Sequence, residues 1–409
     1  MHEKNKIPAH WEVKSISEVC EILDGLRRPV NSTERMKRIN DKPEKELYPY
    51  YGATGQVGLI DDYILDGEYI LLGEDGAPFL DPFKDKAYLV KGKMWINNHA
   101  HILKSKYSNK FLCYYLNNIN YKEFISGTTR LKLNQSSMRE IPVPLPPLSE
   151  QHLIVEKIEE LFSEQEAGRL QLETVKEQLK TYRQAVLSCA FEGKLTNDNA
   201  IQKQLPEGWK WVKVRDIAVD IQYGHTETAS KKTLGPKFLR ITDIQDNRVN
   251  WDTVPYCKIS KDDFVRKKLE DGDLVFARTG ATVGKSYLIK GDIPESVFAS
   301  YLIRIRFPEF ISDKYVWYFF QSNIYWQQIF KGQVGTGQPN VNGKKLGELY
   351  LPLPPFSEQQ KIVKAIESRF LECDKLIEII KVGLQQNEVL KQSILKQAFE
   401  GKLVKTQTN

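Results

Sequence analysis

Gly280–Ser286 reads GATVGKS, a glycine-rich run that ends in lysine and a hydroxyl. A loop of this kind cradles phosphate when four residues separate its first glycine from the Gly-Lys pair. Only Ala281, Thr282 and Val283 stand between them here, so nucleotide binding fails on spacing. His99 and His101, in NNHAH, would share one face of a strand. Without a neighbouring carboxylate or thiolate they make a weak zinc set, and a structural or DNA-contacting role fits them better. Asp81–Phe83 (DPF) lacks the second proline of the Asn/Asp-Pro-Pro-Phe/Tyr motif of adenine methyltransferases. H-E-x-x-H, G-x-S-x-G and the Rossmann fingerprint are missing as well. The expectation is therefore no catalytic residue and no metal ligand in this chain.

The side chains that remain suit a different task. Arginine donates in a fork to guanine, and asparagine or glutamine to adenine, across the major groove. Gly-containing loops carry such residues in both halves of the chain. DGLRRPVNS offers Arg27 and Arg28, and GTTRLKLNQ offers Thr128, Arg130, Lys132 and Asn134. QYGHTETASKK offers Tyr223, His225 and Thr226, and FARTGATVGKS offers Arg278, Thr279 and Lys285. GTGQPNVNGKK offers Gln338 and Asn340. The competing reading is that these loops are solvated turns.

The elements that must position these loops are written twice. VPLPPLSEQ at Val143–Gln151 returns as LPLPPFSEQ at Leu351–Gln359, 208 positions later. AFEGKL at Ala190–Leu195 returns at Ala398–Leu403 with the same offset. Trp11 in IPAHWEVKSI matches Trp209 in LPEGWKWVKV at an offset of 198. LDGEYILLGEDGA from Leu65 resembles EDGDLVFARTGA from Glu270 at 205. The offset drifts through one part of each half and then stays fixed. Each half is therefore a variable domain followed by a segment of constant length, which is tandem duplication rather than a solenoid.

The constant segment reads as a helix. Pro146–Pro147 and Pro354–Pro355 cannot lie inside one, Ser149 and Ser357 supply N-caps, and Gly193 and Gly401 supply stops. About 43 residues lie between, roughly 65 Å at 1.5 Å per residue. Apolar residues recur at three- and four-residue spacing from Ile154 to Cys189 and from Ile362 to Gln397, a coiled-coil pattern. A long amphipathic helix on a globular core is the alternative, but this one would overhang its domain. Antiparallel pairing would bring Gly168 near Gly383 and Gln165 near Asn387, with Leu172 and Ile380 in the same seam. Parallel pairing would instead match Ile154 with Ile362. The expected organisation is a globular segment 1–148, a helix 149–195 and a linker 196–205. A second globular segment 206–356, a helix 357–403 and a tail 404–409 follow. The class is α+β, with two globular domains and an antiparallel helix pair.

The bulk numbers agree. The chain has 409 residues, 41% hydrophobic, so two or three cores can form. No run of about 18 apolar residues exists, and the N-terminus has no signal-peptide pattern. Five scattered cysteines read as reduced thiols, which points to the cytoplasm. The net charge of +6 permits a polyanion partner without demanding one.

The duplication, the two helices and the Pro-Leu-Pro-Pro-x-Ser-Glu-Gln lead-ins together resemble the specificity (S) subunit of Type I restriction–modification systems, the HsdS family. The likeness runs end to end, through LPEGWKWVKV, YPYYGATGQVGLIDDYI, INNHAHIL and PLPPLSEQ…AFEGKL. It implies two target-recognition domains, each reading one half of an asymmetric bipartite site in double-stranded DNA, with the helices as spacer. It implies two modification (methyltransferase) subunits and up to two restriction (translocase/endonuclease) subunits as partners. S-adenosylmethionine, ATP and Mg are then expected only in those partners, with no cofactor in this chain. Two other classes remain as alternatives: an enzyme with fused methyltransferase or nuclease activity, and a coiled-coil scaffold with no role on DNA.

Overall fold

The computed structural model describes residues 7–197, 205–245, 247–280, 282–331 and 341–404. The chain divides into two compact units, Met1–Glu173 with Ile380–Asn409, and Thr174–Ile379. Each unit therefore holds one globular segment, the first part of the helix that follows it and the last part of the other helix.

The first unit is built on a six-stranded sheet in the order Cys20–Ile22, Ala100–Ser105, Leu65–Gly73, Ala87–Ile96, Tyr48–Gly52 and Gly55–Ile60. Leu65–Gly73 lies inside the sheet, and its second half, 69–73, is buried on both faces, which explains the apolar run YILLG. Its side chains still alternate. Tyr69 and Leu71 join one core, with Met94 and Ile102, while Ile70 and Leu72 join another, with Leu103 and Leu116. The second unit has a four-stranded sheet in the order Asp220–Tyr223, Leu302–Arg306, Leu274–Ala277 and Ser286–Leu288. Its inner strand Leu274–Ala277 alternates in the same way, with Val275 in one core and Leu274 and Phe276 in another.

The proline lead-ins are strands. Pro142–Leu145 pairs antiparallel with Glu12–Ser15, and Tyr350–Leu353 with Lys210–Lys213. The register is the same in both: Leu145 faces Glu12, and Leu353 faces Lys210. Proline has no N–H to give a ladder, but a two-stranded ribbon leaves alternate positions unpaired, and Pro142 and Pro144 take those positions.

The long helices run Leu148–Phe191 and Phe356–Phe399, 44 residues each. Each starts one residue before the serine expected to cap it. The carbonyls of Pro147 and Pro355 accept the first helical N–H bonds, from Gln151 at 3.0 Å and Gln359 at 3.0 Å. The serines therefore lie inside the first turn. The glycine stops are as expected. Gly193 (φ 73°) and Gly401 (φ 67°) sit in the left-handed region. The N–H of Lys194 reaches the Cys189 carbonyl at 2.8 Å, and that of Lys402 reaches the Gln397 carbonyl at 2.8 Å, which closes each helix.

Within each unit the two helices are antiparallel. In the first, Ile154 and Ile158 share a core with Ile394, Ala398 and Phe399. Further along, the Gln165 side chain donates to the Asn387 carbonyl at 2.9 Å, and the Asn387 side chain to the Gln165 carbonyl at 3.1 Å. Leu172 packs where a Cβ on Gly383 would stand, at 3.2 Å, and Ile380 is buried. Gly168 has open space beside it, and Leu172 fills the room that Gly383 leaves. In the second unit, Val186 and Leu187 share a core with Ile362, Val363 and Ile366, and Arg183 holds Asp374 and stacks on Phe370.

A candidate nucleic-acid interface

The candidate residues gather at one end of the inner strand in each unit. In the first unit, Leu65–Gly73 leads into Glu74, Asp75 and Gly76. The segment 126–134 runs alongside, with Leu133 N–H on the Glu74 carbonyl at 2.7 Å and Gly76 N–H on the Leu131 carbonyl at 3.2 Å. Thr128, Arg130, Lys132 and Asn134 are all exposed on this segment. Asp75 holds Arg130 at 2.6 Å and His99 at 2.9 Å, and Glu74 holds Lys132 at 3.1 Å.

Beneath them lies a buried charged knot. His101 is fully buried, with Nδ1 2.7 Å from an Asp24 oxygen and Nε2 2.8 Å from the Leu133 carbonyl. Both neighbours are acceptors, so each ring nitrogen faces an oxygen. Burial pushes the Asp24 carboxyl upward, but the His101 hydrogen bond and charge, Gln135 and the Ile102 N–H together hold it below the usual carboxylate range. Glu74 is likewise raised by burial and lowered more by Arg27, Lys132 and His101. Arg27 is ion-paired to Glu74 and donates to the carbonyls of Asp24 (3.0 Å) and Ala100 (3.3 Å). Its donors are committed inside the protein, which gives it a clamping role. Arg28 is exposed, and its guanidinium donates to the carbonyls of Gly25 and Arg27.

In the second unit, Leu274–Ala277 leads into Arg278 and Thr279. The Arg278 carbonyl accepts the Val341 N–H at 3.2 Å, and its own N–H reaches the Tyr301 carbonyl at 3.0 Å. The Arg278 guanidinium lies over the Tyr223 ring, 5.2 Å from its centroid. The Tyr223 hydroxyl accepts the Gly343 N–H at 2.9 Å. His225 is partly buried, edge-on to Phe238 and bonded to the Lys258 carbonyl at 3.1 Å. Thr226, Thr279 and Lys285 are exposed, with Lys285 two residues past Val283 on the following turn. Gln338 and Asn340 lie outside the described residues.

Sequence reasoning selected cations, amides and hydroxyls by type. It passed over Asp24, Glu74, Asp75 and Gln135, which organise the first site, and Tyr301, which is 63% exposed beside Arg278. The GED of Gly73–Asp75 was the available signal, since it directly follows an apolar strand. Among the described residues, no group of three or more His, Cys, Asp or Glu side chains could hold a metal. No helix among them is long and apolar enough to cross a membrane.

Known proteins place the chain. The model of the Type I restriction modification DNA specificity domain matches twice, at 8–174 and 206–386. The chain is 28% identical to the Type I restriction enzyme EcoKI specificity subunit of Escherichia coli (strain K12) over 302 residues, covering 72% of this chain and 65% of that one. It is 28% identical to the EcoBI specificity subunit of Escherichia coli, covering 96% and 86%. The fold is similar to a solved chain from a study of assembly and conformational transition of the type I R-M system, with TM-score 0.70, 18% identity and coverage of 97% and 99%. With two specificity domains that span most of its length, the chain belongs to the Type I restriction–modification specificity family.

Proposed function

We propose that this chain is the DNA-recognition subunit of a Type I restriction–modification complex and reads a bipartite site in double-stranded DNA, one half per globular segment. The carrying observation is that the same strand end in each unit bears donors at the surface: Arg28, Thr128, Arg130, Lys132 and Asn134 are exposed in one, and Tyr223, Thr226, Thr279 and Lys285 are exposed beside the half-buried Arg278 in the other. The two sets differ in residue type, so the two half-sites differ too. His225 lies in the second set as a partly buried neighbour.

Catalysis belongs to partners in this reading. Two modification subunits supply S-adenosylmethionine chemistry, and up to two restriction subunits supply ATP- and Mg-dependent translocation and cleavage. The complex works in the cytoplasm, where its five cysteines stay reduced. The test is methylome sequencing of cells that carry the chain with its modification subunits. A methylated motif of two unlike halves separated by unspecified bases supports the reading. Methylation without such a motif, or DNA binding whose affinity does not fall with salt, counts against it.

A further inference from the structure

The arginines of the second globular segment are mostly engaged with carboxylates. Arg215 holds Glu348, Arg240 holds Asp243, Arg266 holds Asp263, Arg304 holds Asp220, and Arg306 holds Asp273. Arg278 is different. No carboxylate among the described residues pairs with it, and it lies on the face of Tyr223 instead. A ring face holds a guanidinium without consuming its N–H donors. The Nε atom is buried, with no hydrogen-bond partner among the described residues.

Three contacts fix where this fork points. The main chain of Arg278 is pinned on both sides, by Tyr301 and by Val341. The Tyr223 ring is pinned in turn by the Gly343 N–H on its hydroxyl. Gly343 lies close against this ring, since a Cβ there would meet Ile221 at 3.3 Å and the Tyr223 hydroxyl at 3.5 Å. Arg278 is itself partly exposed and its neighbours Thr279 and Tyr301 are exposed, so the fork borders an open surface. A planar donor pair held this way matches one acceptor pair on a DNA base edge, O6 and N7 of guanine.

We infer that Arg278 reads a guanine in the half-site of the second unit and that Tyr223 is its positioning residue. This inference rests on the proposed DNA-recognition function and adds to it the base and the residue that reads it. The fork could also grip a phosphate, which offers acceptors but carries no sequence information. The two sources of acceptor are separable by experiment.

The experiment expresses the full chain with its modification subunits, as wild type and as Arg278→Ala, Arg278→Lys, Tyr223→Leu and Tyr223→Phe. The methylated motif is read for each, and binding is measured on duplexes with each guanine of the motif replaced by 7-deazaguanine. The wild type should lose about 5- to 150-fold in affinity at one guanine of one half-site. Arg278→Ala should lose that sensitivity, and its methylated motif should become degenerate at that base pair alone. Arg278→Lys should discriminate less well than wild type. Tyr223→Leu should lose discrimination, while Tyr223→Phe, which keeps the ring, should retain most of it. An Arg278→Ala protein with wild-type thermal stability, weaker binding on every duplex and an unchanged motif would make Arg278 a phosphate contact and overturn the inference. Wild-type affinity and motif in Arg278→Ala would also overturn it. A wild-type chain with no bipartite motif would instead remove the function on which the inference stands.

Discussion

Glu74 and Arg278 occupy the same position in the two units. The residue before each one donates its N–H to the carbonyl of the lysine that directly precedes the next strand, Gly73 to Lys86 and Ala277 to Lys285, at 2.9 Å in both. The carbonyl of each accepts an N–H from the returning segment, Leu133 in one unit and Val341 in the other. Gly73 faces Ala100, and Ala277 faces Leu302, in matching antiparallel pairs. One duplicated position thus carries a carboxylate in the first unit and a guanidinium in the second. A companion substitution goes with it: Gln135 bonds Asp24, whereas Gly343, 208 residues later, bonds Tyr223.

The carboxylate of Glu74 is structural, because it neutralises Arg27 and Lys132 beside His101. Glu74→Gln should destabilise the first unit by about 2 kcal/mol, since charge-assisted hydrogen bonds are lost and Arg27 is left to share the Asp24 carboxylate with His101. Arg278→Ala should cost at most about 1 kcal/mol, since it breaks a cation–π contact and no ion pair. Denaturant unfolding of both variants checks the contrast, and equal losses would deny the division of labour.

Acid should act on the first unit through the same knot. Asp24 and Glu74 are both held below their usual values in the fold. A carboxylate depressed in the folded state stabilises above its unfolded pKa, about 3.9 for Asp and 4.3 for Glu, and loses that stabilisation as pH falls through the folded value. Stability measured by denaturant unfolding should therefore fall from about pH 5 downward. Glu74→Gln should flatten part of that fall, and an unchanged slope in the variant would place the acid-sensitive groups elsewhere.

The amide pair on the long helices should act as two separate bonds. Gln165 and Asn387 each donate to the other's main-chain carbonyl, which an alanine would keep. Replacing either by alanine should cost about 1 kcal/mol, and the double variant should cost close to the sum of the two, within about 0.5 kcal/mol. A double variant that costs much less than the sum would mean that each side chain holds the other in place.

The duplication and the helices were legible because both are long-range patterns. A fixed offset of 208 survives any local ambiguity, and several heptads of apolar spacing outvote single residues such as the exposed Leu390. The glycine stops were legible because Gly193 and Gly401 adopt φ values that other residues resist. The pairing of the proline lead-ins as strands was not legible, because their partners Glu12–Ser15 and Lys210–Lys213 lie more than a hundred residues away. The echo at 205 places Glu74 opposite Thr279, whereas the hydrogen bonds align it with Arg278, one residue off. An offset that drifts cannot be fixed by residue type alone. Arg27 was chosen as a DNA contact by its charge. Its carboxylate partner comes from another strand, and so its clamping role was invisible in its own loop.

Exchange of one recognition segment tests the central claim most directly. The chain's residues 206–356 are replaced by the corresponding segment of another family member whose methylated motif is known, and the methylome is sequenced with the same modification subunits. The account predicts a motif that keeps one wild-type half and gains one half from the donor. A folded, methylating chimera in which both halves change, or in which neither does, would contradict it.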